Sequence, residues 1–258
     1  MIWIGLGALV VAAVCGYFAR AAHRKAAVME STETLPVKDL RALHAAAVQA
    51  AGEGSFRYRC ELVGQVQPHV KGALRSELAE QDCVWHRHRI TRRYEETYRD
   101  SDGNQKRRTS NEVVSEFSSS TAFFVADASG RMVVRPGQHQ VTGAEKVLDR
   151  FDPHTGGGNR LHLGPVSLDL GGGSGTIGFQ REEWLVRPGS SFYVLGEAAD
   201  PDGKLAMAAP AEGGLFTMSV KSEEELLRGE NNKVLGFGIG AGVAALAGVV
   251  LLALGVFG

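Results

Sequence analysis

The sequence predicts a mainly β (α+β) protein, in which a domain of short antiparallel strands, a sandwich or a small barrel, lies between two transmembrane helices. All 28 Lys/Arg and 29 Asp/Glu residues lie between Arg20 and Lys233, so residues 1–19 and 234–258 are uncharged and apolar. Each end reaches the roughly 20 residues that a helix needs to cross a bilayer. Short β-prone runs separated by turn residues fill most of the middle. The mean hydropathy of −0.09 therefore averages two lipid-soluble ends with a water-soluble domain, and a simple cytosolic protein is excluded.

Residues 1–19 are predicted to form a membrane anchor, transmembrane helix 1. A cleaved signal peptide has a basic region before its apolar run, whereas here Arg20, Arg24 and Lys25 follow the run. Lys233 precedes the second apolar segment. Because basic residues accumulate on the cytoplasmic side of membrane helices, we expect a cytoplasmic middle domain with both termini outside. This placement predicts free thiols at Cys60 and Cys83, because disulfides are rare in reducing compartments.

Residues 234–258 are predicted to form transmembrane helix 2. They contain glycine pairs four residues apart, Gly236 with Gly240 and Gly238 with Gly242. Small residues at this spacing let helix backbones approach closely in lipid, which would serve packing on the first helix or homo-oligomer formation. The alternative is that glycine is simply frequent in membrane helices.

The segments between the anchors follow from helix and turn signals. Residues 20–54 read as a helical linker, with one helix over residues 26–51 that carries Pro36 in its first turn. Residues 55–221 form the β-rich domain. Residues 222–233 form a short helical juxtamembrane segment, because Ser222 and Glu225 have the spacing of a capping box.

Within the β-rich domain, turn signals separate the expected strands. Asp102-Gly-Asn104 predicts a hairpin turn, and Arg187-Pro-Gly-Ser190 predicts a type II turn with Gly189 at its third position. Gly64 is expected to end the first strand. The expected strands cover residues 57–63, 83–94, 107–117, 122–126, 132–134, 192–195, a run from 204 onward, and 216–220.

We expect no catalytic residue, no cofactor and no metal site. The glycine-rich stretch Gly171–Gly175 lacks the Gly-Lys-Ser/Thr of a phosphate-binding loop and the spacing of a nucleophile elbow. Cys83, His86 and His88 are metal-competent, but side chains alternate along a strand, so Cys83 opposes the two histidines. A structural zinc site needs four ligands, and the expectation is an exposed strand face.

The predicted hairpin is rich in basic residues, with eight Lys/Arg and four Asp/Glu between Arg87 and Arg108. Such a surface suits anionic lipid headgroups or a protein partner, and the alternative is a solvated strand of mixed charge. Nucleic acid is a less favoured partner, because the domain is tethered at both ends. The candidate contact residues are Arg87, Arg89, Arg92, Arg93, Lys106, Arg107 and Arg108.

Several segments, taken in order, resemble the GIDE domain, also called BAM for "beside a membrane". They are Cys60-Glu-Leu-Val-Gly-Gln-Val66, Ser76, Cys83-Val-Trp85, Phe124-Val-Ala-Asp127 with Ser129-Gly130, Arg181-Glu-Glu-Trp-Leu185 with Pro188-Gly189, Tyr193-Val-Leu-Gly-Glu-Ala198 and Met218-Ser-Val-Lys-Ser-Glu-Glu-Glu-Leu-Leu227. The order of helix, domain and helix is also similar.

The resemblance implies a relative of the MULAN-type E3 ubiquitin ligases, in which a zinc-binding RING follows the second helix. This sequence has no Cys or His after that helix, so we expect no RING-type transfer by these residues. The resemblance implies that the domain of the eukaryotic members lies in the intermembrane space. The basic residues that follow the first apolar segment of this sequence predict a cytoplasmic domain instead. The function expected is a two-anchor membrane protein that binds a protein partner or lipid. The alternative is a ubiquitin-transferase-family component that works with a separate catalytic partner.

Overall fold

The computed structural model describes residues 2–154, 160–163, 166–169 and 175–257. They form two compact units, one of residues 1–33 with 221–258 and one of residues 34–220. The helices are α1 (Ile2–Ser31), α2 (Val37–Ala51) and α3 (Glu223–Phe257). The strands are β1 (Arg57–Gln67), β2 (Leu74–Arg75), β3 (Asp82–Cys83), β4 (Trp85–Arg99), β5 (Gln105–Ser118), β6 (Phe123–Asp127), β7 (Gly130–Val134), β8 (Val141–Thr142), β9 (Glu145–Pro153), β10 (Arg160–Leu163), β11 (Val166–Asp169), β12 (Thr176–Val186), β13 (Ser191–Ala199), β14 (Ala206–Ala208) and β15 (Thr217–Ser219).

The centre of the β domain is a closed five-stranded barrel. Its strands follow the order β1-β6-β7-β14-β13, and antiparallel pairing of β1 with β13 closes the ring. Strand β15 also pairs with β13 in antiparallel orientation, and β8 pairs with β15 in parallel orientation. Apolar side chains fill the interior, among them Leu62, Phe123, Val125, Phe192 and Val194. The mainly β prediction is confirmed, and of the two architectures left open the structure has the barrel.

Gly64 does not end the first strand, so that expectation is wrong. β1 runs through it to Gln67, where it pairs with β6. A Cβ atom at Gly64 would lie 2.7 Å from the carbonyl carbon of Ala126 and still closer to its oxygen. Glycine is therefore required by the close approach of β6, which a sequence pattern cannot distinguish from a strand break.

A second antiparallel sheet has the order β5-β4-β12-β9. Its longest pairing is the β4–β5 hairpin, which runs from Arg87 opposite Ser118 to Arg99 opposite Gln105 with a register shift between Ile90 and Thr91. The turn forms at the predicted place, where the backbone N–H of Asp102 and that of Asn104 donate to the Asp100 carboxylate. The predicted type II turn joins β12 of this sheet to β13 of the barrel, and Gly189 has a φ of 81°.

The single helix expected over residues 26–51 is divided in the structure. α1 ends at Ser31, and α2 begins at Val37 after Pro36 in extended conformation. The α2 N-terminus is capped from outside the helix. The Asp127 carboxylate accepts from the N–H of Val37 at 2.8 Å, and the Ser129 hydroxyl accepts from the N–H of Lys38 at 3.0 Å. The β6–β7 turn thus supplies the cap that Pro36 lacks.

We predict that Asp127→Ala destabilises the β domain by about 1–2 kcal/mol, the usual cost of losing a helix N-cap. The Asp127 carboxylate also accepts hydrogen bonds from the N–H groups of Ser129 and Gly130, and their loss adds to the effect. Urea unfolding of the detergent-solubilised chain, followed by tryptophan fluorescence, measures it. Asp102→Ala, at the exposed tip of the other hairpin, is the matched control and should leave the midpoint unchanged. Equal midpoints for the two variants would contradict the cap.

The first unit consists of α1 and α3, which are long and apolar enough to cross a membrane. This supports a membrane protein with two spans. The predicted capping box forms at the start of α3, where the N–H of Glu225 donates to the Ser222 hydroxyl at 3.3 Å and the Glu225 carboxylate accepts from the Ser222 N–H at 3.2 Å. The ring of Phe18 stacks on that of Phe237, and Lys25 pairs with Glu230 at 2.9 Å.

Gly5 and Gly248, which are not among the predicted pairs, lie where α1 and α3 approach each other closely. A Cβ atom on Gly5 or Gly248 would lie 3.0 Å from the carbonyl oxygen of the other. Of the predicted positions, only Gly240 has a neighbour within 4 Å, the Cys15 sulfur at 3.7 Å. Nothing described lies that close to a Cβ at Gly236, Gly238 or Gly242. Association of these three positions with a second copy stays a prediction.

Candidate functional site

The seven basic residues predicted as a contact surface lie on the β4–β5 hairpin, but they do not share one face. Residues directly opposite one another in a sheet point to the same side, and neighbours along a strand alternate. Arg87, Arg89 and Arg93 lie on one face with Arg107, which is opposite Thr97. Arg92, Lys106 and Arg108 lie on the other. The positive charge is therefore divided between two surfaces.

Most of these side chains are paired with acidic residues. Glu116 pairs with both Arg87 and Arg89. The other ion pairs join Arg92 with Glu112 at 3.6 Å, Lys106 with Asp100 at 2.8 Å, Arg107 with Glu95 at 3.9 Å and Arg108 with Glu96 at 2.6 Å. Arg93 forms no ion pair with any described residue. Glu112 and Glu116 lie beyond the sequence window that suggested a basic excess, and strand pairing brings them opposite the arginines.

The face that carries Arg87, Arg89 and Arg93 is named the outer face. It extends across β12 and β9, where Trp184 lies between two cations: the Arg87 guanidinium at 5.2 Å and the Lys146 ammonium at 5.1 Å from its ring centre. Lys146 also pairs with Glu182 at 2.6 Å. Val113 and Phe151 are exposed on the same face. Aromatic residues and arginine are enriched in protein–protein interfaces.

The expectation of an exposed strand face at Cys83, His86 and His88 is wrong, because all three residues are at most 5% exposed. His86 and His88 lie on the opposite face of this sheet, whereas Cys83 belongs to β3, which pairs with β2. The His88 ring lies between Glu77, 2.8 Å from Nδ1, and the Ser115 hydroxyl, 3.0 Å from Nε2. Among the described residues no three His, Cys, Asp or Glu side chains are grouped to hold a metal.

Glu183, opposite His88 on β12, is fully buried and anchors a turn. Its carboxylate accepts from three successive backbone N–H groups, those of Glu77 at 3.0 Å, Leu78 at 3.1 Å and Ala79 at 2.6 Å. This arrangement satisfies the buried charge and leaves the carboxylate few free lone pairs for chemistry.

Burial keeps the Cys83 thiol and the His86 imidazole in their neutral forms. Burial, with the nearby Glu183 and Asp82 carboxylates, raises the pKa of the Cys83 thiol to about 12. Burial lowers the pKa of His86, so its imidazole is neutral at physiological pH. Because the thiolate is the nucleophilic form of cysteine, this pair does not provide an activated nucleophile.

Two further buried carboxylates, those of Glu61 and Asp200, also stabilise the fold. Glu61 is buried on β1 and accepts hydrogen bonds from the Tyr193 and Thr34 hydroxyls. Asp200 is buried just after β13, where it accepts from the N–H of Gly54 at 3.1 Å and of Phe56 at 2.9 Å and contacts Nε2 of His44 at 2.9 Å. Asp200 therefore ties α2 to the barrel.

We predict that Asp200 contributes to stability except in strong acid. Burial alone would raise its pKa, but the hydrogen bonds from His44, Gly54 and Phe56 outweigh it and lower the pKa below the ordinary 3.8. The unfolded chain therefore binds the proton first as pH falls, and the contribution is present above pH 3.8 and lost below it. Asp200→Asn should lower the unfolding midpoint at neutral pH and flatten its decline in acid. Asp202→Asn, two residues away and exposed, should follow the wild-type profile; an unchanged profile in Asp200→Asn would contradict the prediction.

The glycine-rich stretch cannot be placed in this site, because Gly171–Ser174 lie outside the described residues. Of the family-like segments, the sequence interpretation assigned no role to Asp127, Glu183 or Glu61. The signal that could have identified these residues is a carboxylate inside an apolar run, as in Cys60-Glu-Leu62. A charged residue in such a run is buried only when it is paired or hydrogen-bonded.

Comparison with known proteins supplies the family. No curated protein and no solved structure matches the chain. The family model for the GIDE domain, described as an E3 ubiquitin ligase, matches residues 93–253. The match covers well over half of the sequence and extends from the middle of β4 into α3. The chain therefore belongs to the GIDE family of E3-ubiquitin-ligase-related proteins.

Proposed function

We propose that the chain is a two-anchor membrane protein whose β domain binds a protein partner at the membrane surface. The observation that carries this proposal is the outer face, where ion-paired arginines, Trp184 and the exposed Val113 form one continuous surface. The carboxylates of the family-like segments serve the fold instead, as with Glu61, Asp127 and Glu183.

A protein partner suits this surface better than a lipid headgroup layer. Anionic lipid attracts a surplus of positive charge on one surface, whereas the cations of the hairpin point to two sides and most contact carboxylates. A partner with its own alternating charges would complement the outer face and gain specificity from it. The cytoplasmic orientation of the domain, deduced from Arg20, Arg24 and Lys25, is part of this proposal.

Photo-crosslinking in the producing cell tests the proposal. A benzoylphenylalanine at Val113, 52% exposed on the outer face, should yield a discrete protein adduct. The same probe at Val70, 74% exposed in the segment between β1 and β2, is the matched control and should not. Arg93→Glu should weaken the Val113 adduct, because it reverses a charge that pairs with no described residue of the chain. A lipid adduct at Val113, or equal protein adducts at both sites, would contradict partner binding there.

A second candidate function comes from the family. The GIDE model is described as an E3 ubiquitin ligase, which favours a component of ubiquitin-type transfer that works with a separate catalytic partner. The discriminating observation is the adduct itself. A ubiquitin-charged or ubiquitin-like-charged enzyme in the Val113 adduct would support this role, and an unrelated membrane protein would support the general binding role.

A further inference from the structure

We propose that a cleft between α2 and the β6–β7 hairpin binds an acidic peptide segment that also carries apolar side chains. The cleft has a volume of about 490 Å³ and is lined by Arg41, Phe124, Arg131, Met132, Val133 and Leu205. The inference rests on the proposed function, a domain that binds proteins, but it uses a surface separate from the outer face.

The cleft is lined by two cationic side chains, those of Arg41 and Arg131. Both residues are exposed, and neither forms an ion pair with a described residue. Other arginines of the barrel do, as Arg135 with Asp202 at 3.1 Å and Arg57 with Glu197 at 3.0 Å. His44 also lines the cleft, but it contacts the Asp200 carboxylate. Within the described part of the chain, the two arginines therefore have no acidic partner.

Both arginines are held in position before a ligand arrives. Arg41 donates from Nη2 to the carbonyl oxygen of Arg131 at 2.7 Å. The Arg131 guanidinium lies 4.5 Å from the ring centre of Phe124, and the His69 ring stacks on Phe124 at 5.3 Å. Each guanidinium has five N–H donors, so donors remain for a carboxylate. Positioned side chains lower the entropic cost of binding.

Apolar groups distinguish this cleft from a simple anion site. Phe124 and Met132 are buried, and Val133 and Leu205 are half-buried beside the arginines. An inorganic anion would use the guanidinium groups alone. A flat membrane surface contacts protruding residues, whereas this site is concave. A peptide with a carboxylate next to an aliphatic side chain would use both parts, the carboxylate with charge-assisted hydrogen bonds and the aliphatic group by leaving water.

The test uses the full chain in nanodiscs and a fluorescein-labelled hexapeptide of alternating glutamate and leucine. We expect saturable binding, weakened about tenfold or more by Arg41→Gln and by Arg131→Gln, the loss expected for one charge-assisted contact. Leu205→Ser should also weaken binding. Arg93→Gln, which removes an arginine of the outer face that likewise pairs with no described residue, is the matched control and should leave the affinity unchanged. Where the glutamine variants lower the unfolding midpoint, Arg41→Lys and Arg131→Lys replace them, because lysine keeps the positive charge. We expect both lysine variants to bind the peptide more weakly than wild type.

Several results would overturn the inference. Equal affinity for a hexapeptide of alternating glutamine and leucine would exclude recognition of the acid, and unchanged affinity in the arginine variants would place binding elsewhere. Full displacement by millimolar inorganic phosphate would reduce the cleft to an anion site, and displacement by vesicles of anionic lipid would make it a lipid site. Loss of peptide binding with the Val113 adduct retained would leave the proposed function standing, whereas loss of the adduct with peptide binding retained would count against the outer face alone.

Discussion

Glu183→Gln is expected to destabilise the β domain by about 2–3 kcal/mol, the cost of weakening hydrogen bonds to a buried carboxylate and leaving a buried donor without its acceptor. The carboxylate accepts from the N–H groups of Glu77, Leu78 and Ala79. Glutamine offers one carbonyl oxygen and turns an NH₂ group toward N–H donors, so at least one buried donor loses its acceptor. Urea unfolding of the detergent-solubilised chain, followed by tryptophan fluorescence, measures the loss.

Glu182→Gln is the matched control for this prediction. The residue is adjacent on β12, the chemical change is identical, and its carboxylate pairs with Lys146 near solvent. Ion pairs of this kind contribute at most about 1 kcal/mol. A midpoint for Glu183→Gln within error of that for Glu182→Gln would show that the turn does not depend on the buried carboxylate.

Gly64→Ala is expected to destabilise the barrel by about 3 kcal/mol, at the upper end of the usual cost of overpacking. The new methyl group would overlap the backbone carbonyl of Ala126 and lie 3.0 Å from Cγ1 of Val125. Because the obstacle is backbone, relief requires β1 and β6 to separate where they pair at Gln65 opposite Ala126. The same unfolding measurement tests the prediction.

Gln65→Ala, on the same strand but exposed, is the control and should cost little. Hydrogen exchange adds a local readout, because separation of β1 from β6 should speed the exchange of amides in both strands. Unchanged unfolding and exchange in Gly64→Ala would mean that β6 can shift without loss, which would contradict the close approach.

Local patterns correctly predicted two turns and the capping box of α3. The turn at Asp102-Gly-Asn104, the type II turn at Gly189 and the capping box of Ser222 with Glu225 all form. Each depends on residues a few positions apart, so the sequence contains all of its parts. The expected strand over residues 83–94 begins two residues later, at Trp85, and continues to Arg99, because β5 and β12 supply pairing partners along its length.

Features that depend on distant segments were missed or misjudged. Gly64 was interpreted as a strand end because the approach of Ala126 is visible only in three dimensions. The basic character of the hairpin was overestimated because Glu112 and Glu116 come opposite Arg92 and Arg89 through strand pairing. The cap of α2 was not anticipated, since Asp127 lies 90 residues from Val37.

The sequence by itself determined the division of this protein into two apolar helices and a β-rich middle, because hydropathy and turn chemistry are local properties. Tertiary structure alone decided that the strands close into a barrel and that the hairpin cations divide between two faces. It also decided that Cys83, His86 and Glu183 are buried and that Arg41 meets Arg131 at a cleft. The physical reason is that burial, ion pairing and pKa depend on which distant residues become neighbours, and strand order and register fix those neighbours.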